Sequence, residues 1–294
     1  MAYRDIEYIE SGEKKAFLSL MHQFNISQRE AQRWIAYGRL RGISNSGKAI
    51  TGRQIVTVFF PEPKGLKAIF DTPEFAIFNK PKGIPVHPIN RIDYSLTDEI
   101  RHLYGNGANV VHRLDQDTTG AIIVSKNRYS DSVLKMLFQN REVSKSYEAV
   151  VWGKLDKEIV VDNRLIEIKE PRKNRNGFQN ITAVDNSGKD ALTTIKPIYF
   201  DGKKTVVEAF PQTGRRHQIR VHLDSIGFPI VGDPIYGSSD SIRELYFSKK
   251  LNEDSRKELL GCSRLLLHSK RLSFKFQENH YDFKVDSDFN QLKF

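Results

Sequence analysis

The chain has 294 residues, of which 39% are hydrophobic and 11% aromatic, enough for one large domain and a small one. Its 46 lysines and arginines outnumber 36 acidic residues, and the formal net charge of +10 favours a polyanionic partner such as nucleic acid. The single cysteine, Cys262, excludes a disulfide framework and a cysteine-rich zinc site. A reducing compartment fits this composition. Because no segment has the pattern of a signal peptide or a membrane span, we expect a cytoplasmic protein without membrane contact.

The first 65 residues have the pattern of a small basic module. Ser27 and Glu30 have the spacing of a capping box, so we expect a helix that begins there and ends near Gly38. A turn at 45–48 and a β-rich stretch at 54–60 follow. Between residues 28 and 54 only Glu30 is acidic, and the basic residues are Arg29, Arg33, Arg39, Arg41, Lys48 and Arg53. Such one-sided charge suits phosphate contacts that position RNA, although a solvated helix packed on the main domain would show the same pattern.

A domain boundary is expected near residue 65, where prolines and a glycine interrupt the pattern. For residues 66–294 the sequence predicts short β-runs at 76–78, 121–124, 147–152 and 205–210. Helices are predicted at 134–140 and 218–224, and a charged helical segment at 240–260. No regular alternation of strand and crossover helix appears. The pattern therefore predicts an α+β fold with a mixed, mostly antiparallel sheet.

The most informative segment is residues 112–120, H-R-L-D-Q-D-T-T-G, which leads into the apolar run 121–124. It places the carboxylate of Asp115 at a strand entrance, beside a cation and a turn. Alone, this arrangement is typical of a surface ion pair. Three further blocks change that interpretation: F-N-K-P-K-G-I-P-V-H-P at 78–88, G-R-R-H-Q-I-R-V-H-L at 214–223 and G-D-P-I-Y-G at 232–237.

With these blocks in this order, from about Leu66 to about Phe276, the sequence resembles the RluA family of RNA pseudouridine synthases. It departs from the family pattern at Thr119, where serine is usual, and at Ser269, where alanine is usual. The resemblance implies a catalytic domain of pseudouridine synthase type that isomerises uridine to pseudouridine in structured RNA. The N-terminal module resembles, more loosely, the alpha-L type of RNA-binding module, which implies a small α/β RNA-binding domain at residues 1–65.

The resemblance assigns chemistry to three residues. Asp115 matches the catalytic aspartate, which either attacks the anomeric carbon of the sugar or removes a sugar proton. Arg220 matches the arginine that pairs with this aspartate, lowering its pKa and orienting it. Tyr147 matches the tyrosine that stacks on the target uracil and is implicated in removal of the C5 proton. Because the isomerisation gains and loses no atoms, no cofactor and no metal are expected.

Further residues are predicted to bind the substrate. Arg113 would occupy the place of a flipped-out uridine, or contact a phosphate. Leu267 would form an apolar wall for the uracil, or belong to the core. The remaining predicted substrate-binding residues are His112, Arg215, His217 and Gln218. A cation-rich loop is expected to clamp RNA phosphates through Arg172, Lys173 and Arg175.

Two other kinds of site are less favoured by the sequence. Asp117 could form a glycosidase-type carboxylate pair with Asp115, but the turn expected there favours a structural role. His217 and His222 are five residues apart, which does not match the four-residue spacing of a helical zinc site, so no metal site is expected.

Three functions therefore remain open. The first is an RNA pseudouridine synthase acting on large-subunit ribosomal RNA, with transfer RNA as the second choice of substrate. The second is a catalytically silent RNA-binding or ribosome-assembly factor, against which the intact Asp115, Tyr147 and Arg220 count. The third is a glycosidase-like hydrolase. Whichever of these functions is correct, we expect the protein to be a monomer.

Overall fold

The structure is a computed structural model that describes residues 3–88, 94–171 and 178–289. The described residues form two separate β-sheets, one of two strands near the N-terminus and one of eleven strands. Helices pack on these sheets, and the strand pairs are antiparallel with one exception among the described residues. The predicted α+β fold with a mostly antiparallel sheet is confirmed.

The N-terminal sheet pairs β1 (Tyr3–Lys15) with β2 (Ala49–Phe59). Helices α1 (Ala16–Phe24) and α2 (Gln28–Ala36) lie between them in the chain. Helix α2 begins where the sequence predicts, because Ser27 Oγ accepts the backbone N–H of Glu30. Strands and helices share a buried cluster that includes Leu20, Trp34 and Val56. This part of the chain therefore has its own core.

Strand β1 and helix α1 are absent from the sequence-based prediction. The alternation of β1 is interrupted by a register shift between Glu10 and Lys14, and charged residues occupy much of the strand. Helix α1 follows Lys15, which makes no side-chain capping bond. Helix α1 lacks a capping box like the one formed by Ser27 and Glu30 before α2, and β1 lacks a regular alternation of apolar and polar residues.

The larger sheet and its helices occupy the rest of the described chain. In chain order the elements are β3 (Ala68–Asp71), β4 (Phe75–Lys80), α3 (Leu96–Tyr104), β5 (Asn109–Val110), β6 (Thr119–Ser125), α4 (Arg128–Gln139), β7 (Ser144–Trp152), β8 (Ile159–Pro171), β9 (Phe178–Val184), β10 (Lys189–Phe200), β11 (Lys204–Pro211), α5 (Gln218–Ser225), α6 (Asp240–Phe247), α7 (Glu253–Leu260), β12 (Leu267–Phe276) and β13 (Asn279–Lys284). The spatial order is β3-β4-β6-β12-β7-β11-β10-β8-β9, with β5 paired to β6 and β13 to β12. Among the described residues, no helix is both long and apolar enough to cross a membrane.

The centre of the large sheet is the place where β12 enters between β6 and β7. His268 and Ser269 of β12 pair in parallel with Thr119 and Gly120 of β6, and Ser269 also pairs with Tyr147 of β7. Gly120 has a φ of +105°, and a Cβ atom there would lie 2.3 Å from the carbonyl oxygen of Ser269. Glycine is therefore needed for this close approach between β6 and β12, which in turn pairs with β7.

Around β4, β6 and β12, buried clusters lie on both faces of the large sheet. Because successive strand side chains point to opposite faces, Ala76 and Phe78 join one buried cluster while Phe75 and Ile77 join another. Helices α3 and α5 add apolar residues to the first cluster, and α4 adds them to the second. This two-layer packing holds α5 and the loop before β6 in fixed positions.

Two predicted helices have different bounds in the structure. Helix α4 begins at Arg128 rather than at residue 134, because Asn127 and Ser130 form a capping box. The predicted helical segment 240–260 is two helices, α6 and α7. Each has its own capping residue, Ser239 and Asn252 respectively.

The link between the two sheets contacts the start of α3. The backbone N–H of Glu62 donates to the Asp98 carboxylate over 3.3 Å, and that of Lys64 donates to Glu99. The Arg101 guanidinium lies 5.1 Å from the ring centroid of Phe59, at the end of β2. These contacts attach the N-terminal part to the larger one.

Candidate active site

Nine of the predicted residues line one cleft with a volume of about 970 Å³. They come from the loop before β6, from β7, from the start of α5 and from the start of β12. The nine are His112, Arg113, Asp115, Tyr147, Arg215, His217, Gln218, Arg220 and Leu267. Residues from four distant segments of the sequence therefore share one cavity.

Arg220 is held between two carboxylates at this cleft. Its Nη1 donates to Asp115 Oδ2 over 3.1 Å, while Nε and Nη2 donate to the two oxygens of Asp233 over 2.7 and 2.8 Å. Asp233 in turn accepts the backbone N–H groups of Ile235 and Tyr236. The bidentate pair with Asp233 fixes the plane of the guanidinium, so that its remaining edge faces Asp115.

The Asp115 carboxylate is ionised in this arrangement. Its side chain is 17% exposed, and burial alone would raise its pKa. The charges of His217, when protonated, and of Arg220 outweigh burial and hold the pKa of Asp115 below its usual value. Asp233 and Asp115 likewise outweigh the burial of Arg220 and raise the pKa of the guanidinium. Asp115 is therefore an oriented anion whose other oxygen is available in the cleft.

His217 lies near the same carboxylate oxygen that Arg220 contacts, with its Nε2 atom 3.8 Å from Asp115 Oδ2. The residue has a φ of +53° and occupies the N-cap position of α5, which turns its ring into the cleft. Burial lowers the pKa of His217 to about 4, so the imidazole is neutral at neutral pH. Its Nδ1 atom contacts the Tyr236 hydroxyl over 2.9 Å.

Tyr147 and Leu267 form an apolar part of the cleft wall. Tyr147 on β7 is 8% exposed, and Leu267 at the start of β12 is 4% exposed. Burial, with a contribution from the charge of Asp115, raises the pKa of Tyr147 to about 12. The phenol is therefore protonated at neutral pH. Its ring can stack on a base, and its hydroxyl group is a hydrogen-bond donor.

Two buried cations support the loop that carries Asp115. Lys80 Nζ donates to the carbonyl oxygens of Pro81, Ile84 and Gln116, each at 2.9 to 3.0 Å. Burial lowers the pKa of Lys80 to about 8, although the charges of Asp117 and Asp115 oppose the shift.

The second cation, Arg256 from α7, binds the same loop. Its Nη1 donates to Asp117 Oδ2 over 2.9 Å, and its Nε and Nη2 donate to the carbonyl oxygen of Gly232. The Tyr246 hydroxyl donates to the same Asp117 oxygen over 3.4 Å. Asp117 is thus engaged by α6 and α7, as expected for a structural carboxylate.

Among the other predicted binding residues, two have their polar groups engaged within the protein. Both polar atoms of the Gln218 side-chain amide are hydrogen-bonded within the protein. The oxygen accepts from the Thr213 hydroxyl and the Arg215 backbone N–H, and the nitrogen donates to the Leu192 carbonyl oxygen and the Thr193 hydroxyl. His112 stacks on Phe138, and its Nε2 atom accepts the backbone N–H of Ile123. The structure therefore gives both residues a role in shaping the cleft. Arg113 is exposed at its edge, and so is Arg215, whose Nε donates to the Asp190 carbonyl oxygen.

The predicted RNA-binding arginines of the N-terminal part differ in their surroundings. Arg29 and Arg33 are exposed on α2, and no ion pair joins them within the described residues. Arg41 pairs with Asp5, and Arg39 lies over the rings of Trp34 and Tyr3. Arg53 pairs with Glu7. Strand β1 thus supplies acids that a count over residues 28–54 does not include, and the basic surface is smaller than predicted.

The predicted phosphate clamp Arg172, Lys173 and Arg175 lies outside the described residues. For the described parts of the chain, no group of three or more His, Cys, Asp or Glu side chains is placed to hold a metal ion. His222, which the sequence analysis paired with His217, is fully buried and bonds through Nδ1 to the Thr193 hydroxyl.

Several residues of the site were not singled out from the sequence. Asp233 and Tyr236 belong to G-D-P-I-Y-G, and Lys80 to the K-P-K-G segment, so the motifs were visible while the roles of these residues were not. Lys145 lines the cleft and donates to the Thr213 carbonyl oxygen over 3.2 Å. Arg256 has no motif around it. Only the folded chain shows that it reaches the loop at Asp117.

Comparisons with known proteins identify a family. Residues 74–225 match the family model described as RNA pseudouridylate synthase. An uncharacterized RNA pseudouridine synthase of Helicobacter pylori strain J99 is 30% identical over 91% of this chain and 90% of its own length. The ribosomal large subunit pseudouridine synthase C of Buchnera aphidicola is 36% identical over 70% of this chain and 61% of its own length. The relatives include both ribosomal and transfer RNA synthases.

A solved structure, human RNA pseudouridylate synthase domain containing 4, superposes with a TM-score of 0.57. It covers 76% of this chain and 89% of its own, with 24% identity, and it shows that the fold is shared. The family model covers more than half of the chain, from β4 to the end of α5, and contains Asp115, Tyr147 and Arg220. The chain belongs to the RluA family of RNA pseudouridine synthases and is an RNA-modifying isomerase.

Proposed function

We propose that Asp115, Arg220 and Tyr147 are the catalytic residues of this pseudouridine synthase. The observation that carries the proposal is the 3.1 Å contact between Asp115 and the buried Arg220 within the cleft. An aspartate held in this way is ionised without being exposed to bulk water, which suits attack on a sugar carbon or removal of a sugar proton. Both routes remain compatible with the geometry.

The reaction needs one oriented carboxylate and one place to hold the detached base. The bond from the anomeric carbon to N1 breaks, the uracil turns, and the same carbon bonds to C5. The C5 proton leaves, and N1 takes up a proton. Tyr147 and Leu267 offer the apolar surface on which the detached uracil stays while it turns.

The target uridine must leave the stacked RNA to reach Asp115, at a cost of a few kcal/mol. We propose that Arg113, exposed at the cleft edge, occupies the vacated position or contacts a neighbouring phosphate. Arg215 and His217 are positioned to bind the flipped nucleotide. For His112 and Gln218 we propose support of the cleft wall rather than contact with RNA, because their polar groups are engaged within the protein.

Asp115→Asn tests the assignment, because the substitution keeps the shape of the side chain and removes its charge. We expect RNA affinity close to that of the wild type and no detectable pseudouridine in single-turnover assays. Residual activity above about a thousandth of the wild-type rate would exclude Asp115 as the essential carboxylate.

Asp117→Asn is the matched control, since it removes the same charge from the same loop. We expect turnover to fall far less than in Asp115→Asn. Because Asp117 also pairs with the buried Arg256, its loss is compared with that in Arg256→Ala, which breaks the same pair without removing a carboxylate. A loss in Asp117→Asn that equals the loss in Asp115→Asn and exceeds the loss in Arg256→Ala would favour a carboxylate pair and the hydrolase alternative. Release of free uracil instead of pseudouridine would support that alternative directly, and wild-type protein that binds RNA without converting it would indicate a silent binding factor.

For the substrate we propose large-subunit ribosomal RNA, with transfer RNA as the alternative. The name of the Buchnera relative supports the first choice, and that of a yeast transfer RNA synthase the second. Mapping pseudouridines in total RNA from strains with and without the gene decides between them. A position that disappears from 23S-type RNA supports the first choice, and one that disappears from transfer RNA the second.

We further propose that residues 1–65 form a separate RNA-binding domain attached to a catalytic domain of residues 66–294. The separate sheet and buried cluster of the N-terminal part support this division. A monomer located in the cytoplasm remains our prediction.

A further inference from the structure

The hydroxyl group of Tyr236 has hydrogen-bonding partners on both sides. The side chain is 8% exposed, and its oxygen accepts the backbone N–H of Thr182 over 3.0 Å. His217 Nδ1 lies 2.9 Å from the same oxygen. Within the described residues, His217 Nδ1 is the acceptor in reach of the hydroxyl proton. Because an unsatisfied buried donor is costly, the proton of Tyr236 is donated to His217 Nδ1.

This bond determines which nitrogen of the imidazole carries a proton. A neutral histidine has one N–H and one lone pair, so Nδ1 as acceptor places the hydrogen on Nε2. The Nε2 atom faces Asp115, 3.8 Å from Oδ2. An N–H group there is attracted to the carboxylate, whereas the other tautomer would direct a lone pair at it. The two contacts of His217 therefore favour the same tautomer.

His217 Nε2–H is a hydrogen-bond donor beside an anionic acceptor, the Asp115 carboxylate, and this arrangement suits a hydroxyl group. A hydroxyl can accept from His217 Nε2–H and donate to Asp115 at the same time, and an oxygen about 2.8 Å from each atom fits their separation. In the proposed reaction Asp115 acts at or beside the anomeric carbon. The hydroxyl on the next carbon, the ribose 2′-hydroxyl, is therefore the one within reach.

We propose that Tyr236 is a positioning residue that fixes His217 as the Nε2–H tautomer, and that His217 and Asp115 together bind the 2′-hydroxyl of the target nucleotide. The inference rests on the proposed use of this cleft. It gives the G-D-P-I-Y-G motif a second task besides holding Arg220 through Asp233. It also makes the ribose of the target position a recognised feature of the substrate.

The tautomer can be measured without any activity assay. In full-length protein labelled with ¹⁵N-histidine, the two ring nitrogens have distinct chemical shifts, and His217→Asn identifies the signals of His217 among the eight histidines. We expect Nε2 protonated and Nδ1 unprotonated in the wild type. In Tyr236→Phe we expect the Nδ1–H form to become populated. A wild-type His217 protonated on Nδ1 overturns the proposal, whether or not the variant folds.

Tyr246→Phe is the matched control for this measurement. It also removes the hydroxyl of a partly buried tyrosine, one that donates to Asp117 rather than to His217. We expect the His217 tautomer to stay unchanged. An equal change of tautomer in both variants would mean that loosening of the cleft, and not the bond from Tyr236, controls His217, and would overturn the proposal.

The substrate half of the proposal is tested with RNAs that carry uridine or 2′-deoxyuridine at the target position. We compare the ratio of kcat/KM for the two RNAs between wild type and Tyr236→Phe, so that the intrinsic lability of the deoxynucleoside cancels. Loss of the hydrogen bond donated by the neutral His217 Nε2–H predicts that the preference for ribose falls several-fold, up to about tenfold, in the variant. An unchanged preference overturns this half, while absence of product from the wild type with the all-ribose RNA would contradict the proposed function instead.

Discussion

Asp117 and Arg256, 139 positions apart in the chain, form an ion pair of 2.9 Å at the loop that carries Asp115. Both side chains are almost buried, at 15% and 10% exposure. Arg256 also donates twice to the Gly232 carbonyl oxygen, next to the Asp233 that holds Arg220. One cation therefore connects the loop of Asp115 with the turn that positions its partner.

Arg256→Ala should destabilise the fold. It leaves the Asp117 carboxylate buried without its cation, and breaking a buried pair in this way costs about 3 to 5 kcal/mol. Urea unfolding of the variant should show a loss of this size in the free energy of unfolding. Lys82→Ala is the control, because Lys82 binds Glu253 of the same helix α7 in an exposed pair, which should contribute less than about 1 kcal/mol. Similar losses in the two variants would contradict the role of Arg256.

Tyr147→Phe should bind RNA normally and fail to complete the isomerisation. The substitution keeps the stacking ring but removes the hydroxyl group proposed to serve the C5 proton step. We therefore expect cleavage of the bond to N1 without release of the C5 proton. Release of tritium from [5-³H]uridine in the target RNA measures this step. Tritium release at the wild-type rate would show that Tyr147 only packs against the base.

The sequence identified residues that line the cleft better than the residues that support them. Asp115, Tyr147 and Arg220 belong to sequence blocks that could be compared with a family, and the structure brings all three to one cleft. Arg256 stands in a charged segment with the pattern of a solvated helix. Its contact with Asp117 depends on where α7 packs in the folded chain, which the local sequence does not encode.

Helices and strands were likewise predicted only where their sequence signals are local. Helix α2 was predicted because Ser27 and Glu30 give a local start signal, and the helix predicted at 218–224 agrees with α5 to within one residue. Strand β1 has no regular alternation, since its partner β2 and the shift between Glu10 and Lys14 determine its path. Pairing over such distances is a property of the tertiary structure.

The rate of the chemical step should be independent of pH between about 5 and 7. Arg220 keeps the folded-state pKa of Asp115 below its unfolded value of about 3.9, so the carboxylate is ionised throughout this range. Burial lowers the pKa of His217 to about 4 and that of His112 to about 3, so both are neutral.

Below this range, the favourable contribution of ionised Asp115 to stability is lost as the pH falls through its folded-state pKa, and activity should fall with it. Single-turnover rates at saturating enzyme, on an RNA whose fold is checked at each pH, measure this profile. An acid limb centred near pH 6.5 would mean that a histidine of the site titrates, contrary to this prediction.

The exposed arginines of α2 should contribute more to RNA binding than the paired ones. Replacing both Arg29 and Arg33 by alanine should reduce the slope of log K against log salt by about 1.4 to 1.8, the value for two phosphate contacts. Replacing both Arg41 and Arg53 changes the net charge equally but removes cations already paired with Asp5 and Glu7, so a smaller change is expected.

Deleting residues 1–63 should have the largest effect on the salt slope while conversion of a minimal stem-loop persists. The measurement is equilibrium binding at several salt concentrations for each variant. Equal slopes in the wild type and the Arg29/Arg33 variant would show that this face of α2 does not touch RNA.

The parallel pairing of β6 with β12 also determines when the enzyme can become active. Thr119 and His268, which pair there, are separated by 149 positions, and Tyr147 needs Ser269 as its neighbour on β12. Closing so long a loop is entropically costly and comes late in folding. During synthesis, β6, β7 and α5 leave the ribosome before β12 can separate β6 from β7. The nascent chain therefore carries Asp115, Tyr147 and Arg220 before the cleft exists, and we expect RNA modification to begin only once β12 lies between β6 and β7.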